Sequence, residues 1–195
     1  YDAICYKIVD AGTSMKKFSD EVYKQHSIFI FWELPTCRTE DDRPMSILHE
    51  YRLSLRENAK LRSHLQSWRN KPFNEEELKG FDITKILGVT CKLTVGLTSG
   101  GKEKVTGVFC ADGGPKKTAT ENEQVIFDLE DYMKEFSGES CEASKKACDI
   151  FEGLPSFMQW QIAGCDEPGK EQIPPCFEMQ AALAKGGEEP KKEEV

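Results

Sequence analysis

Ten residues of this chain are of two kinds: the cations Lys7, Lys16, Lys17, Arg52, Arg56, Lys92, Lys102 and Lys104, and the phenylalanines Phe29 and Phe31, two positions apart. Ammonium and guanidinium groups attract phosphate, the guanidinium through two parallel hydrogen bonds. An exposed aromatic face stacks on a nucleobase. Cations interleaved with aromatics therefore suit non-covalent capture of an anionic strand of bases. Phe29 and Phe31 lie in His26–Leu34 (HSIFIFWEL), where Ile28, Ile30, Trp32 and Leu34 fill the alternate positions. A strand covered on one face should be polar on the other. Two phenylalanines on that second face read as a stacking platform, worth about 1–3 kcal/mol per base. The alternative is that the C-terminal region or a second subunit covers them.

Covalent and metal chemistry have no comparable support. The eight cysteines (5, 37, 91, 110, 141, 148, 165 and 176) contain no C-x-x-C, and His26, His49 and His64 are scattered, so zinc-ligand spacing is missing. The cysteines read as free thiols, with Cys5, Cys91 and Cys110 acting as small apolar residues inside strands. That usage suits a reducing cytosol. A two-metal nuclease needs clustered carboxylates. Asp41 and Asp42, or Glu75 to Glu77, read instead as solvated charge or as acids at a helix start. The chain has neither a P-loop nor a nucleophile motif. No catalytic residue, metal or cofactor is expected.

The elements that must position the ten residues follow from hydrophobic periodicity. Ala3–Val9 is a first strand and His26–Leu34 a second. Tyr51, Leu53 and Leu55 alternate with polar residues, which predicts a third strand with Arg52 and Arg56 facing outward. The period then changes to Leu61, Leu65 and Trp68, a helix whose apolar stripe belongs to the core; Ser54-x-x-Glu57 has capping-box spacing at its start. His64 falls beside that stripe and reads as exposed. Val89–Leu97 alternates as a fourth strand and Glu103–Cys110 forms the fifth, joined by Ser99-Gly-Gly-Lys102. The fold class is therefore mainly β with helices: a five-stranded Greek-key barrel of the OB-fold kind, with a helix between strands three and four. Such barrels commonly bind single-stranded nucleic acid. Residues 13–25 read as the basic loop joining strands one and two, and Lys102 and Lys104 sit at the loop joining strands four and five, both usual contact elements.

Of the 195 residues, 38% are hydrophobic and 31% charged, and the apolar runs fall far short of the ~20 residues that span a membrane. Nothing after Tyr1 reads as a signal peptide. Residues 1–117 carry 19 Lys+Arg against 16 Asp+Glu, net +3; residues 118–195 carry 7 against 18, net −11. A nucleic-acid-facing body with an acidic arm has this asymmetry. The barrel is expected to occupy residues 1–113, an acidic α/β extension residues 114–185, and a disordered acidic tail residues 186–195. Within the extension, Val125–Leu129 reads as a short strand and Leu154–Ile162 as a short helix started by Pro155.

The run RLSLRENAKLRSHLQSWRNKPF, followed by EEELKGFDITKILGVTCKLTV, resembles a family of tailed-bacteriophage replication-region proteins regarded as OB-fold single-stranded DNA-binding proteins. The family pattern L-x-x-x-L-x-S-W-R-G-x-x-F-T, then G-F-D-x-x-x-L-L-G-x-x-C, is met at Leu61, Leu65, Ser67, Trp68, Arg69, Phe73, Gly80, Phe81, Asp82, Leu87, Gly88 and Cys91. Asn70 stands where glycine is common and Asn74 where threonine is common. The segments DAGT (10–13), FWELP (31–35) and FEGLPSF (151–157) are weaker landmarks, so the resemblance covers most of residues 3–165. It implies binding of single-stranded DNA with little sequence preference during phage DNA replication or recombination, in the host cytoplasm. The partner it implies is the DNA strand; the charge of the acidic C-terminal region suits contact with other replication proteins, and a second copy of the chain is a further expected partner. The matched positions are structural and transfer no binding residue. The competing reading is a replisome accessory barrel that meets proteins and not DNA.

Overall fold

The computed structural model describes residues 1–166. The tail expected at 186–195 and the end of the extension at 167–185 lie outside the described residues. The chain is mainly antiparallel sheet with several helices. Its strands are β1 (Asp2–Phe18), β2 (Glu21–Arg38), β3 (Pro44–Arg52), β4 (Thr90–Leu97), β5 (Glu103–Cys110) and β6 (Val125–Phe127). Helices α1 (Lys60–Arg69) and α2 (Glu75–Lys79), with a 3₁₀ turn at Ile83–Ile86, stand between β3 and β4; α3 (Leu129–Lys134), α4 (Glu142–Glu152) and α5 (Ser156–Ala163) follow β6. The sheet runs as an open path β3-β2-β1-β4-β5, with β6 pairing to β1. The chain forms two compact units that are not consecutive in sequence: residues 1–8 with 29–126, and residues 9–28 with the part beginning at Phe127.

In the first unit the core forms around α1. Leu61, His64, Leu65 and Trp68 are its buried stripe, the spacing of three and four that a helix places on one face. Trp68 packs on Trp32 of β2 at 6.1 Å between ring centroids and donates its indole N–H to the Thr90 carbonyl at 2.8 Å. Asn70 ends the helix in the left-handed region, at φ 50° and ψ 37°, its N–H returned to the Gln66 and Ser67 carbonyls. Glycine is favoured there and asparagine is the next most tolerant residue. Asn70→Gly is expected to leave stability within about 0.5 kcal/mol, whereas Asn70→Val should lower it by about 1–2 kcal/mol. Denaturant midpoints of the two variants check this, and equal losses would refute it. Asn74 caps α2: its side chain accepts from the Glu77 N–H at 2.8 Å while Glu77 accepts from the Asn74 N–H at 3.0 Å. Threonine and asparagine both serve that role. The capping box thus lies here and not at Ser54, and α1 begins six residues later at Lys60.

The third strand also lies earlier than the alternation of Tyr51, Leu53 and Leu55 predicts. Its inward residues are Ile47, His49 and Tyr51, so a buried histidine interrupts the apolar pattern and hides the true register. Leu53 and Leu55 lie past the strand and line an apolar pocket with Leu61, Leu65, Leu78 and Phe81. Residues 13–25 are not a loop. β1 and β2 continue through them as a hairpin closed by Ser19 and Asp20, with Ser19 at φ 54°. Two-residue turns are the commonest hairpin connection, but Ser-Asp lacks the Asn-Gly signature that announces one.

The segment from 114 to 126 belongs with the first unit, beyond the barrel boundary expected at 113. Val89 bridges to Lys117, and Thr118 donates its N–H to Gly88 at 2.8 Å. Glu33 of β2 is 2% exposed, and its carboxylate accepts from the Glu121 N–H (3.2 Å), the Asn122 N–H (2.8 Å) and the Asn122 side-chain amide (2.7 Å). These three donors account for a carboxylate inside an otherwise apolar strand.

In the second unit, Asp10 accepts from the Gly12 N–H at 2.9 Å and meets His26 Nε2 at 2.6 Å, while Thr13 Oγ1 lies 3.2 Å from His26 Nδ1. Gly12 has φ 67°, and a Cβ there would fall 2.6 Å from Leu129 and 2.9 Å from Cys165. Each polar or glycine position of the DAGT landmark has a structural role. Phe151 of the FEGLPSF landmark stacks on Tyr132 at 4.6 Å, and Phe157 is buried. The seven described cysteines are free thiols.

Candidate nucleic-acid interface

At one corner of the first unit, α1 and β3 both pack on β5. Two histidines are buried there. His64, from α1, faces the Tyr51 hydroxyl at 2.8 Å through Nδ1 and bonds the Thr106 backbone of β5. A ring nitrogen that bonds a carbonyl must carry the proton, so Nε2–H donates to Thr106 and Nδ1 accepts from Tyr51. Burial, and then the nearby Lys60 ammonium, push the His64 pKa down to about 4. His49, from β3, packs edge-on against Tyr51 at 4.5 Å and lies 6.2 Å from the His64 ring. Burial is the chief cause that holds its pKa down at about 3, with Lys60, His64 and Lys104 adding to it and Glu50 opposing. Both rings are therefore neutral at pH 7.

Lys60 and Lys104 lie near enough for both charges to act on His49, and that of Lys60 on His64. Lys60 opens α1 and donates to the Val105 carbonyl at 3.4 Å. Partial burial, and then Lys104, hold its pKa below the ordinary lysine range. Like charges placed this close disfavour each other. Among the described residues neither ammonium has a carboxylate partner. Other cations of the unit are neutralised: Arg38 by Glu121, Arg43 by Asp41, Arg69 by Glu77, Lys79 by Glu76 and Lys92 by Asp112. Arg69 is also sandwiched, with its guanidinium 4.6 Å from the Phe73 ring centroid and 5.1 Å from that of Phe81. The corner can therefore take up an external anion without first breaking an internal ion pair.

The residues expected to bind fall in several places. Lys104 belongs to the corner, and Lys102 is exposed in the turn beside it. Arg52 is exposed at the end of β3, but Arg56 lies in the connection to α1 and not on the strand. Lys92 is exposed on β4 with its ammonium 2.5 Å from Asp112. Lys7 is half-buried, 5.3 Å above the Phe31 ring and 5.8 Å above that of Tyr6, and burial lowers its pKa. Lys16 and Lys17 lie on the β1–β2 hairpin of the second unit.

Phe29 and Phe31 require correction. They are 0% and 1% exposed, so neither offers a face to a base. Phe31 meets Tyr6 edge-to-face at 6.0 Å. Every residue from Ser27 to Leu34 is buried, the condition of a strand covered on both faces, for which a continuous apolar run is the expected pattern. His64, expected at the surface, is buried as well.

Lys60, His49 and Phe109 are functional candidates that periodicity does not single out. Phe109 is 47% exposed on β5, directly across from Lys92. Its position opposite Lys92, in a strand whose other face carries Val108 and Cys110, is the signal that could have found it. The carboxylates weighed for metal binding have local roles, Glu77 in the α2 capping box and Glu76 in its pair with Lys79. Neither a protein-family model, nor a curated protein, nor a solved structure matches this chain.

Proposed function

We propose that the protein binds single-stranded DNA with little sequence preference and protects or organises it during phage DNA replication or recombination. The observation that carries this reading is the pair Lys60 and Lys104, which has no carboxylate partner among the described residues and lies beside two neutral histidines. An anionic partner relieves the repulsion between these ammoniums, and phosphates repeat along a nucleic-acid strand whatever its sequence. The strand path supports the same reading. β3-β2-β1-β4-β5, with a helix between β3 and β4 and with β3 lying near β5, is the order of a Greek-key barrel of the OB-fold kind, cut where β3 would close on β5. The likeness of the Leu61–Cys91 block to phage single-stranded DNA-binding proteins supports it also.

Fluorescence-anisotropy titration with labelled oligo-dT and a matching duplex tests the proposal at low and moderate salt. Binding should favour the single strand and weaken with salt. Lys60→Ala/Lys104→Ala should weaken it at least tenfold at low salt and reduce the salt slope by about 1.4, the value for two phosphate contacts on a single strand. Failure to bind either nucleic acid would refute it. The accessory barrel without direct DNA contact would then stand, with an interface other than Phe29 and Phe31, which the chain itself buries.

A further inference from the structure

We propose that Phe109 is the residue on which bases of the bound strand stack, on the outward face of the β4–β5 hairpin; this rests on the DNA-binding reading above. Cys91, Leu93, Val105 and Val108 point inward and are buried. The outward positions form cross-strand pairs: Lys92 with Phe109, Thr94 with Gly107, and Gly96 with Lys104. This face holds an aromatic ring with a lysine directly opposite and a second lysine further along the same strand. Its remaining positions are small, so nothing bulky stands beside the ring.

The ring's placement depends on Gly107. A Cβ there would lie 2.6 Å from Phe109 Cε2, 2.9 Å from Cζ and 2.7 Å from Thr94 Oγ1. The ring therefore leans over the bare glycine backbone, which holds one side of it and leaves the rest open. The ladder shifts register between Thr94 and Val95, so Thr106 is an extra residue, and its hydroxyl donates to the Thr94 carbonyl at 3.1 Å. This bulge fixes the strand immediately beside the glycine. Lys92 is held by Asp112, but that pair is exposed, and exposed pairs contribute so little that a phosphate can replace the carboxylate. Lys92, across from the ring on β4, and Lys104, five residues before it on β5, supply two charges for a strand running along β5. Charge complementarity selects single-stranded nucleic acid as the occupant; a duplex keeps its base faces stacked and cannot present them to the ring.

The test is oligo-dT titration of the full chain carrying Phe109→Ala, Phe109→Trp or Gly107→Ala, with crosslinking of an iodouracil-substituted oligonucleotide. Phe109→Ala should weaken binding by about five- to 150-fold, the range for one lost base stack. Phe109→Trp should retain binding, Gly107→Ala should weaken it although the ring remains, and the crosslink should map to Phe109. Removing an exposed ring should leave the melting temperature nearly unchanged, which checks folding. If the chain binds oligo-dT and Lys60→Ala/Lys104→Ala weakens it while Phe109→Ala does not, the stacking assignment fails and the function stands. If the unaltered chain does not bind, both fail. A Phe109→Ala variant with unchanged DNA affinity but altered sedimentation would place a second copy on the ring and overturn the assignment.

Discussion

Glu33→Gln is expected to lower stability by about 3 kcal/mol, because three N–H groups converge on a carboxylate that glutamine matches in shape but not in acceptor capacity. The two carboxylate oxygens take the backbone N–H groups of Glu121 and Asn122 and the Asn122 side chain. An amide offers one oxygen, and its NH₂ would point at a donor. At least one part-buried N–H is then unpaired, and the buried amide itself loses a partner. The loss should exceed that of Arg38→Ala, which removes only the exposed ion pair to Glu121 in the same segment and should cost less than about 1 kcal/mol. Urea unfolding of both variants at pH 7 measures the difference. Equal midpoints would mean that the 120–122 segment is not held through Glu33.

These residues also show what the sequence can and cannot convey. The stripe Leu61, Leu65, Trp68 and the alternation of Cys91 and Leu93 in β4 are legible because each element buries one face by a simple period there. Phe29 and Phe31 were misjudged because a strand covered on one face and a strand covered on two differ only in what packs over them from distant parts of the chain. Glu33 lay in a recognisable segment, FWELP, but its donors come from residues 121 and 122. Lys60 and Lys104 are 44 positions apart and become a pair only when α1 crosses β5. The sequence reading places Lys60 inside a helix that starts near Ser54, and Lys104 beside the loop that joins the fourth and fifth strands. Only the tertiary crossing brings them together. His49 and His64 failed for a related reason: each occupies a core position with a polar ring, which hydrophobic patterning counts as surface.

The same two histidines set the largest expected response to pH. Their folded pKa values, about 3 and about 4, lie below the ordinary 6.5, so between pH 6.5 and 4 the unfolded chain binds protons that the folded chain does not. Stability from this source is complete above pH 6.5 and is lost as pH falls toward the folded values. Between pH 7 and pH 5 each ring should cost about 2 kcal/mol and the two together about 4 kcal/mol. The carboxyls of Glu77 and Glu121, held below the ordinary range first by the Asn74 N–H and by Arg38 respectively, lose their contribution only at lower pH. Urea midpoints measured from pH 7 to 5 in a His26→Gln background, which removes the third histidine beside Asp10, therefore isolate these two rings. His49→Phe keeps an aromatic ring against Tyr51 and removes one titrating group, so it should roughly halve the slope; an unchanged slope would place the proton uptake elsewhere. An anion seated on Lys60 and Lys104 removes the second cause of both depressions and leaves the first, burial, in place. Added oligo-dT should therefore reduce this acid loss, by raising the folded histidine pKa values toward 6.5, while increasing stability at pH 7 through binding itself.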